Sequence, residues 1–264
     1  MISELKNFWK NYYPYKLHPE DEIYLSQNKK KYCLEISIKE LRLKYGDDLK
    51  LDNTRKKFIN DKYNKNKILN NLFAIPFLGD VENARIYILM GNPGFHTGDY
   101  IDEIEDKKYI ELLKENLALN SKTFICLKDE AINTGGYKYW SNKGRISKIS
   151  KYLTRLNNQI FSKNYEFTKK SICIVESIAY HSCNKPSEDL YNLPSSKLTK
   201  RLVNEYIQNR INENKAMCFV WRGASYWNLK LHKNLLLRKA GEAQLSVFKD
   251  IEAETMASFL NINN

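Results

Sequence analysis

The chain has 264 residues, with 43 Lys and Arg against 31 Asp and Glu and a formal net charge of +12. That length can bury a full α/β core, and at 42% hydrophobic and 12% aromatic the composition excludes intrinsic disorder. No stretch approaches the roughly 18 uninterrupted apolar residues of a membrane span, and Met1-Ile-Ser-Glu-Leu-Lys-Asn-Phe-Trp9 lacks the apolar core and cleavage site of a secretory signal, so a cytoplasmic protein with no membrane partner is expected.

Residues 1–70 read as a polar, mostly helical arm rich in Lys, Asn and Tyr, ahead of an α/β domain over 71–264. Leu34, Ile38, Leu41 and Tyr45 recur at helical spacing before a stop at Gly46-Asp-Asp, and residues 62–67 read as an exposed turn or linker. Ala84-Arg-Ile-Tyr-Ile-Leu-Met90 is the first strand-like run and ends in Gly91-Asn-Pro-Gly94. Three more follow: Ser171–Ile178, Ala216–Trp221 and the weaker Asn234–Arg238. Between the first two, residues 145–160 predict a helix with an apolar stripe (Ile146, Ile149, Leu153, Leu156, Ile160) beside a basic one of Arg145, Lys148, Lys151 and Arg155. Ser195 or Ser196 is placed to cap another helix, with Leu198, Leu202 and Ile207 turned inward. Continuous apolar strands alternating with helices predict a central, mostly parallel four-stranded sheet covered on both faces, a three-layer α/β sandwich with the helical arm appended.

The five cysteines contain no C-x-x-C pair and the four histidines are scattered, so neither a disulfide framework nor a metal signature is expected. Charge is clustered. Lys138–Lys170 holds nine basic residues against one acidic, Lys197–Lys239 ten against two, and Asp99–Glu130 reverses to nine acidic against five basic. Such asymmetry suggests a polyanion-binding face; the plainer reading is a Lys- and Asn-biased genome.

Ligands of open parallel sheets bind beyond the carboxyl ends of the strands. Three loops qualify: Gly91–Tyr100, Ser177–Lys185 and Arg222–Trp227. In the first, Gly91 and Gly94 permit close backbone approach or a positive φ, and Pro93 fixes a turn that presents Asn92. A held amide can orient a water, although an Asn in such a turn can also simply bond its own backbone.

The stretch Phe77-Leu-Gly-Asp-Val-Glu-Asn-Ala-Arg-Ile-Tyr-Ile-Leu-Met-Gly-Asn-Pro-Gly-Phe95 resembles the first signature of the uracil-DNA glycosylase superfamily, in its G-I-N-P-G form with Met90 in place of the first Gly. Cys218-Phe-Val-Trp-Arg-Gly-Ala-Ser225 is similar to the superfamily's later L-L-W-G strand, and the likeness covers roughly residues 73–250. It implies a monofunctional DNA glycosylase, expected to be monomeric and to need no cofactor, that flips a base out of DNA and leaves an abasic site. By the resemblance Asn92 positions the attacking water, Phe95 or Tyr100 stacks on the extruded base, and Glu176 or Ser177 reads the base edge. Gly94 stands where uracil-specific members carry a Tyr against 5-substituents. Its lack of a side chain points to a bulky 5-modified cytosine, as in antiviral defence against phage DNA. The basic stripe and Arg222 would hold phosphates.

The superfamily's H-P-S-P loop should fall near Lys239-Ala-Gly-Glu-Ala-Gln-Leu-Ser246, which has neither His nor Pro. His181 could substitute as a catalytic residue or be a structural hydrogen-bonder; Trp140 and Trp227 read more simply as packing. Two rivals follow. One is a non-catalytic DNA-binding module on the same fold, and the other a metal-dependent nuclease or nucleotide hydrolase using Glu176, Asp99 and Asp102.

Overall fold

In the computed structural model, which describes residues 1–239, 241–242 and 245–262, the four predicted runs become strands, and three short strands are added. We label the strands β1 (Cys33–Leu34), β2 (Ile68–Leu69), β3 (Phe77–Leu78), β4 (Ile86–Met90), β5 (Ile172–Glu176), β6 (Met217–Val220) and β7 (Leu235–Leu237). The main sheet is mixed and five-stranded, in the order β3-β5-β4-β6-β7, which corrects the expected four. β4 to β7 run parallel, and the extra strand β3 pairs antiparallel with β5 through Phe77–Val175 and Leu78–Ile174. Two residues carry too short a pattern to be told from a loop by periodicity. β4, β5 and β6 are buried throughout, as continuous apolar strands covered on both faces must be.

The chain leaves β4 for β5 on one side and later continues to β6 and β7 on the other. The crevice where strand order reverses therefore opens at the carboxyl ends of β4 and β6.

The helices before β4 are α1 (Ile2–Lys10), α2 (Pro19–Leu25), α3 (Lys29–Tyr32), α4 (Ile38–Tyr45) and α5 (Asp52–Asn60). Leu34, expected on a helix, lies in β1, which pairs parallel with β2. α4 starts where a capping box forms between Ser37 and Glu40, and ends at Gly46, whose φ of +123° suits only glycine. This arm does not stand off the sheet: Leu5, Trp9, Tyr12 and Leu25 join the main core. Leu34, Leu41, Tyr45, Leu49 and Phe58 form a second cluster with Phe95 and Tyr100 from the loop after β4. The expected linker 62–67 includes a short 3₁₀ turn with Asn64 buried, its amide donating to the Phe58 carbonyl at 2.9 Å.

After β4 come α6 (Asp99–Glu105), α7 (Lys107–Leu117), α8 (Gly135–Trp140), α9 (Ile146–Asn157) and α10 (Phe161–Ser171). The helix predicted over 145–160 stops at Asn158, which adopts a left-handed φ of 56°; Leu156 and Ile160 are exposed rather than inward. The remaining helices are α11 (Pro194–Arg201), α12 (Gln208–Asn212), α13 (Ala224–Trp227) and α14 (Asp250–Ile262), with a π-helical stretch over Leu202–Ile207 joining α11 to α12. Neither Ser195 nor Ser196 caps α11. Leu193 is its N-cap and Pro194 its first residue, and the Ser195 N–H donates instead to Asp21 Oδ1 at 3.0 Å, a carboxylate supplied by α2. Among the described residues no helix is long and apolar enough to cross a membrane.

Candidate functional site

The loop after β4 is held by the loop after β5 in a short hydrogen-bonded ladder. Ser177 N–H donates to Met90 O at 3.3 Å, Ile178 N–H to Gly91 O at 3.0 Å and Ser182 N–H to Pro93 O at 3.2 Å, while Ser177 Oγ donates to Gly91 O. Asn92 is half-buried inside this ladder. Its Nδ2 donates to Pro93 O at 2.8 Å, as the plainer reading had it, and also crosses to Ser182 Oγ at 2.8 Å. Ser182 passes its own hydroxyl hydrogen to Asn184 O, so it can only accept from Asn92. The amide orientation is thereby fixed, leaving Oδ1 as the acceptor available to a water. Ser182 was not singled out from sequence, although the loop containing it was; a lone serine carries no spacing signal.

Neither Gly91 nor Gly94 has a positive φ, and a Cβ on either would meet nothing within 4 Å. Their missing side chains are therefore not demanded by the chain's own packing. Gly94 is exposed and Gly91 half-buried, and both border open space on the loop that carries Asn92.

Glu176 ends β5 opposite Met90, is 5% exposed, and has an Oε2 with no hydrogen-bond partner. Burial pushes its carboxyl up to about 8, against an opposing pull from the Arg222 charge. β5 and β6 flank β4 on opposite sides, so this interaction between Glu176 and Arg222 runs across the end of β4, where Gly91–Gly94 begins. A neutral carboxyl there can donate one hydrogen bond and accept another. Because its pKa is raised on folding (4.5 to about 8), Glu176 contributes stability that is present at low pH and lost as pH rises through about 8. Glu176→Gln is accordingly expected to raise the melting temperature relative to the native chain at pH 8.5 and to lose that advantage at pH 5, read by thermal denaturation across the pH range; equal shifts at both pH values would rule out the buried acid.

His181 sits beneath the loop rather than at its open face. It is 6% exposed, its Nδ1–H donates to Gly94 O at 2.7 Å, and Nε2 lies 4.0 Å from Glu103 Oε1. Burial lowers its pKa to about 4, so the ring is neutral at pH 7. This contact is the one expected of a structural hydrogen-bonder, holding the Gly94 carbonyl. Asp99, pushed up to about 7 mainly by burial, lies 4.0 Å from its Nδ1, and burial holds Glu103 well above the carboxylate range. These acids come from α6, and sequence spacing does not connect them to His181.

Phe95 and Tyr100, expected to stack on a base, are both buried in the second cluster, Phe95 packing against Phe58 (ring centroids 4.9 Å apart) and Tyr100 (5.7 Å). They anchor the loop to the arm. Trp140 and Trp227 are core residues.

The predicted phosphate contacts divide. Arg145 is buried: Nε donates to Ser246 O at 2.6 Å, another N–H to Tyr139 O, and the guanidinium lies 3.4 Å over the Tyr139 ring. Lys148 donates to Phe248 O at 2.8 Å and pairs with Asp250 at 3.0 Å. Both cations hold the segment after β7. Lys151 and Arg155 are exposed, but six and ten residues along from Arg145 they lie about 9 and 15 Å farther down α9. Arg222 is exposed and remains beside the crevice.

That same segment is where the second signature was expected; of Lys239–Ser246, Ala240, Ala243 and Gln244 lie outside the described residues. Arg238, at the end of β7, anchors its far side. It is buried, donates to Leu245 O at 3.1 Å, Val247 O at 3.0 Å and Glu252 Oε1 at 2.9 Å, and lies 4.3 Å over the Trp221 ring. Among the described residues no group of three His, Cys, Asp or Glu side chains could hold a metal ion. Comparisons of the chain with protein-family models, curated proteins and solved structures find no significant match.

Proposed function

We propose that the protein is a DNA glycosylase. In this reading it hydrolyses the N-glycosidic bond of a flipped-out modified or mismatched base, with a bulky 5-modified cytosine of phage DNA the favoured substrate and antiviral defence the setting. The fold would then be the three-layer, uracil-DNA-glycosylase-like sandwich of the resemblance. The observation that carries the reading is the Asn92 amide, clamped through Nδ2 to Pro93 O and Ser182 Oγ beside two glycines with open space where side chains would be.

Breaking the bond develops positive charge on the sugar and negative charge on the departing base. A cationic sugar needs only a weakly activated water, which Asn92 Oδ1 can orient by accepting one of its hydrogens. The water oxygen bonds to C1′, the C1′–N bond electrons leave with the base, and the water's proton passes to solvent. Fixed geometry is what such a step demands of the protein, and the ladder between the loops after β4 and β5 supports it. Glu176, neutral at pH 7, can donate to the N3 of a cytosine ring and accept from its amino group, whereas an ionised carboxylate would repel N3.

The test is incubation of the pure protein, in excess EDTA, with uracil-containing, mismatched and hydroxymethylated or glucosylated cytosine DNA, followed by alkali. Release of free base and alkali-labile sites on one substrate class is expected. Binding with no lability on any substrate would replace the proposal with the non-catalytic DNA-binding module.

A further inference from the structure

We infer that the outer face of the lobe formed by α4 and α5 binds the phosphate backbone of the nucleic-acid strand whose base enters the site, with Arg55, Lys56 and Lys57 of α5 its principal cations. The class of ligand rests on the glycosylase reading; the position rests on how this lobe is packed.

Two of the cations expected to hold phosphates, Arg145 and Lys148, are spent on backbone carbonyls, and Lys151 and Arg155 lie down α9. The lobe ahead of the main sheet carries a further set of cations. Between residues 38 and 67 there are ten Lys and Arg against five Asp and Glu. Two of those acids are already occupied: Asp61 by Lys44 at 2.7 Å and Tyr45 Oη at 2.8 Å, and Glu40 by Ser37 in the capping box. Arg55, Lys56 and Lys57 are all exposed, and none pairs with a described acid within 4 Å.

The lobe is tied to both loops of the site. Phe58, on the buried side of α5, packs on Phe95; Thr97 donates its hydroxyl to Leu49 O; and Lys50 pairs with Asp102 at 2.8 Å. On the other side β2 meets the loop after β5, Leu69 N–H donating to His181 O at 2.8 Å and Ile68 bridging to Ser182. The charge of Arg55 reaches His96, Asp99 and Cys183, groups that belong to these same two loops. The exposed side of α5, over which these three cations fan out, is thus held in a fixed place beside Asn92's loop. Adjacent on α4, Lys39 and Arg42 line an open groove of about 570 Å³ together with the apolar Ile38 and Leu43 and one acid, Asp47, so two cations outnumber one carboxylate there. Apolar surface between cations suits a strand whose bases and phosphates alternate.

The experiment measures binding by fluorescence anisotropy of labelled single-stranded and duplex DNA on the full chain, across a salt series. The triple variant Arg55→Ala, Lys56→Ala, Lys57→Ala is expected to bind about 10- to 100-fold more weakly at low salt, with a slope of log K on log salt shallower by about two to three. It leaves Thr54 and Phe58, the buried face of α5, intact. A control pair, Lys215→Ala with Lys233→Ala at the amino-terminal ends of β6 and β7, is expected to change affinity less than twofold. Unchanged affinity and slope in a folded triple variant would overturn the inference, as would an equal loss in the control pair. Base release is scored separately. Weaker binding in the triple variant with no base release by the native chain would sink the glycosylase reading and keep the binding face; base release with unaltered binding would do the reverse.

Discussion

Asn92→Ala is expected to lower the rate of base release by about 10²- to 10³-fold while leaving the melting temperature close to that of the native chain. The side chain is half-buried and touches the fold through two hydrogen bonds donated by Nδ2, so its loss removes the held acceptor without opening the core. Asn92→Asp should be as inactive. It places an oxygen where Nδ2 now donates, against the Pro93 carbonyl and a Ser182 oxygen whose hydrogen is already given to Asn184. Ser182→Ala keeps the amide and removes one of its two tethers, and should cost only about tenfold. Single-turnover assays of the three variants check this order. Full activity in Asn92→Ala would show that the water is positioned by another group.

Arg238→Ala is expected to cost about 3–5 kcal/mol of stability, enough to lower the melting temperature by about 10 °C. The guanidinium is buried with Glu252 as its ion-pair partner, and it also donates to the carbonyls of Leu245 and Val247. Its removal leaves the Glu252 carboxylate buried with, among the described residues, only the Lys249 N–H at 2.7 Å to satisfy it. Replacing both partners, Arg238→Leu with Glu252→Leu, should recover part of the loss because no unpaired charge then remains in the interior. Thermal and chemical denaturation measure both effects. Because Arg145, Lys148, Trp221 and Arg238 all bond to the 245–248 backbone, the single variant should also reduce any activity that depends on this segment.

These two predictions differ in how far the sequence anticipated them. Asn92 announced itself: an apolar strand that ends in Gly-Asn-Pro-Gly marks its own turn, and the residue presented there can be named from local chemistry. Arg238 gave no such signal. It closes a weak apolar run, and its partner lies fourteen residues on in α14.

The sequence by itself determined the four parallel strands, the positions of the loops that follow them, and the turn carrying Asn92. Each follows from local rules: apolar runs long enough to be buried on both faces, and glycine or proline where the chain must turn. Tertiary structure decided which side chains face the crevice. Phe95 and Tyr100 lie beside Asn92 in sequence, yet the arm's aromatic cluster draws them inward, since burying two large rings is worth more than leaving them in water. Arg145 and Lys148 share a basic stripe with Lys151 and Arg155, but the first two fall where backbone carbonyls of a distant segment need donors. Glu176 and Arg222 are 46 residues apart, and their interaction exists only because strand order places β5 and β6 on either side of β4. Charge and periodicity show which residue types are available; only the packed chain decides which of them are already spent on its own backbone.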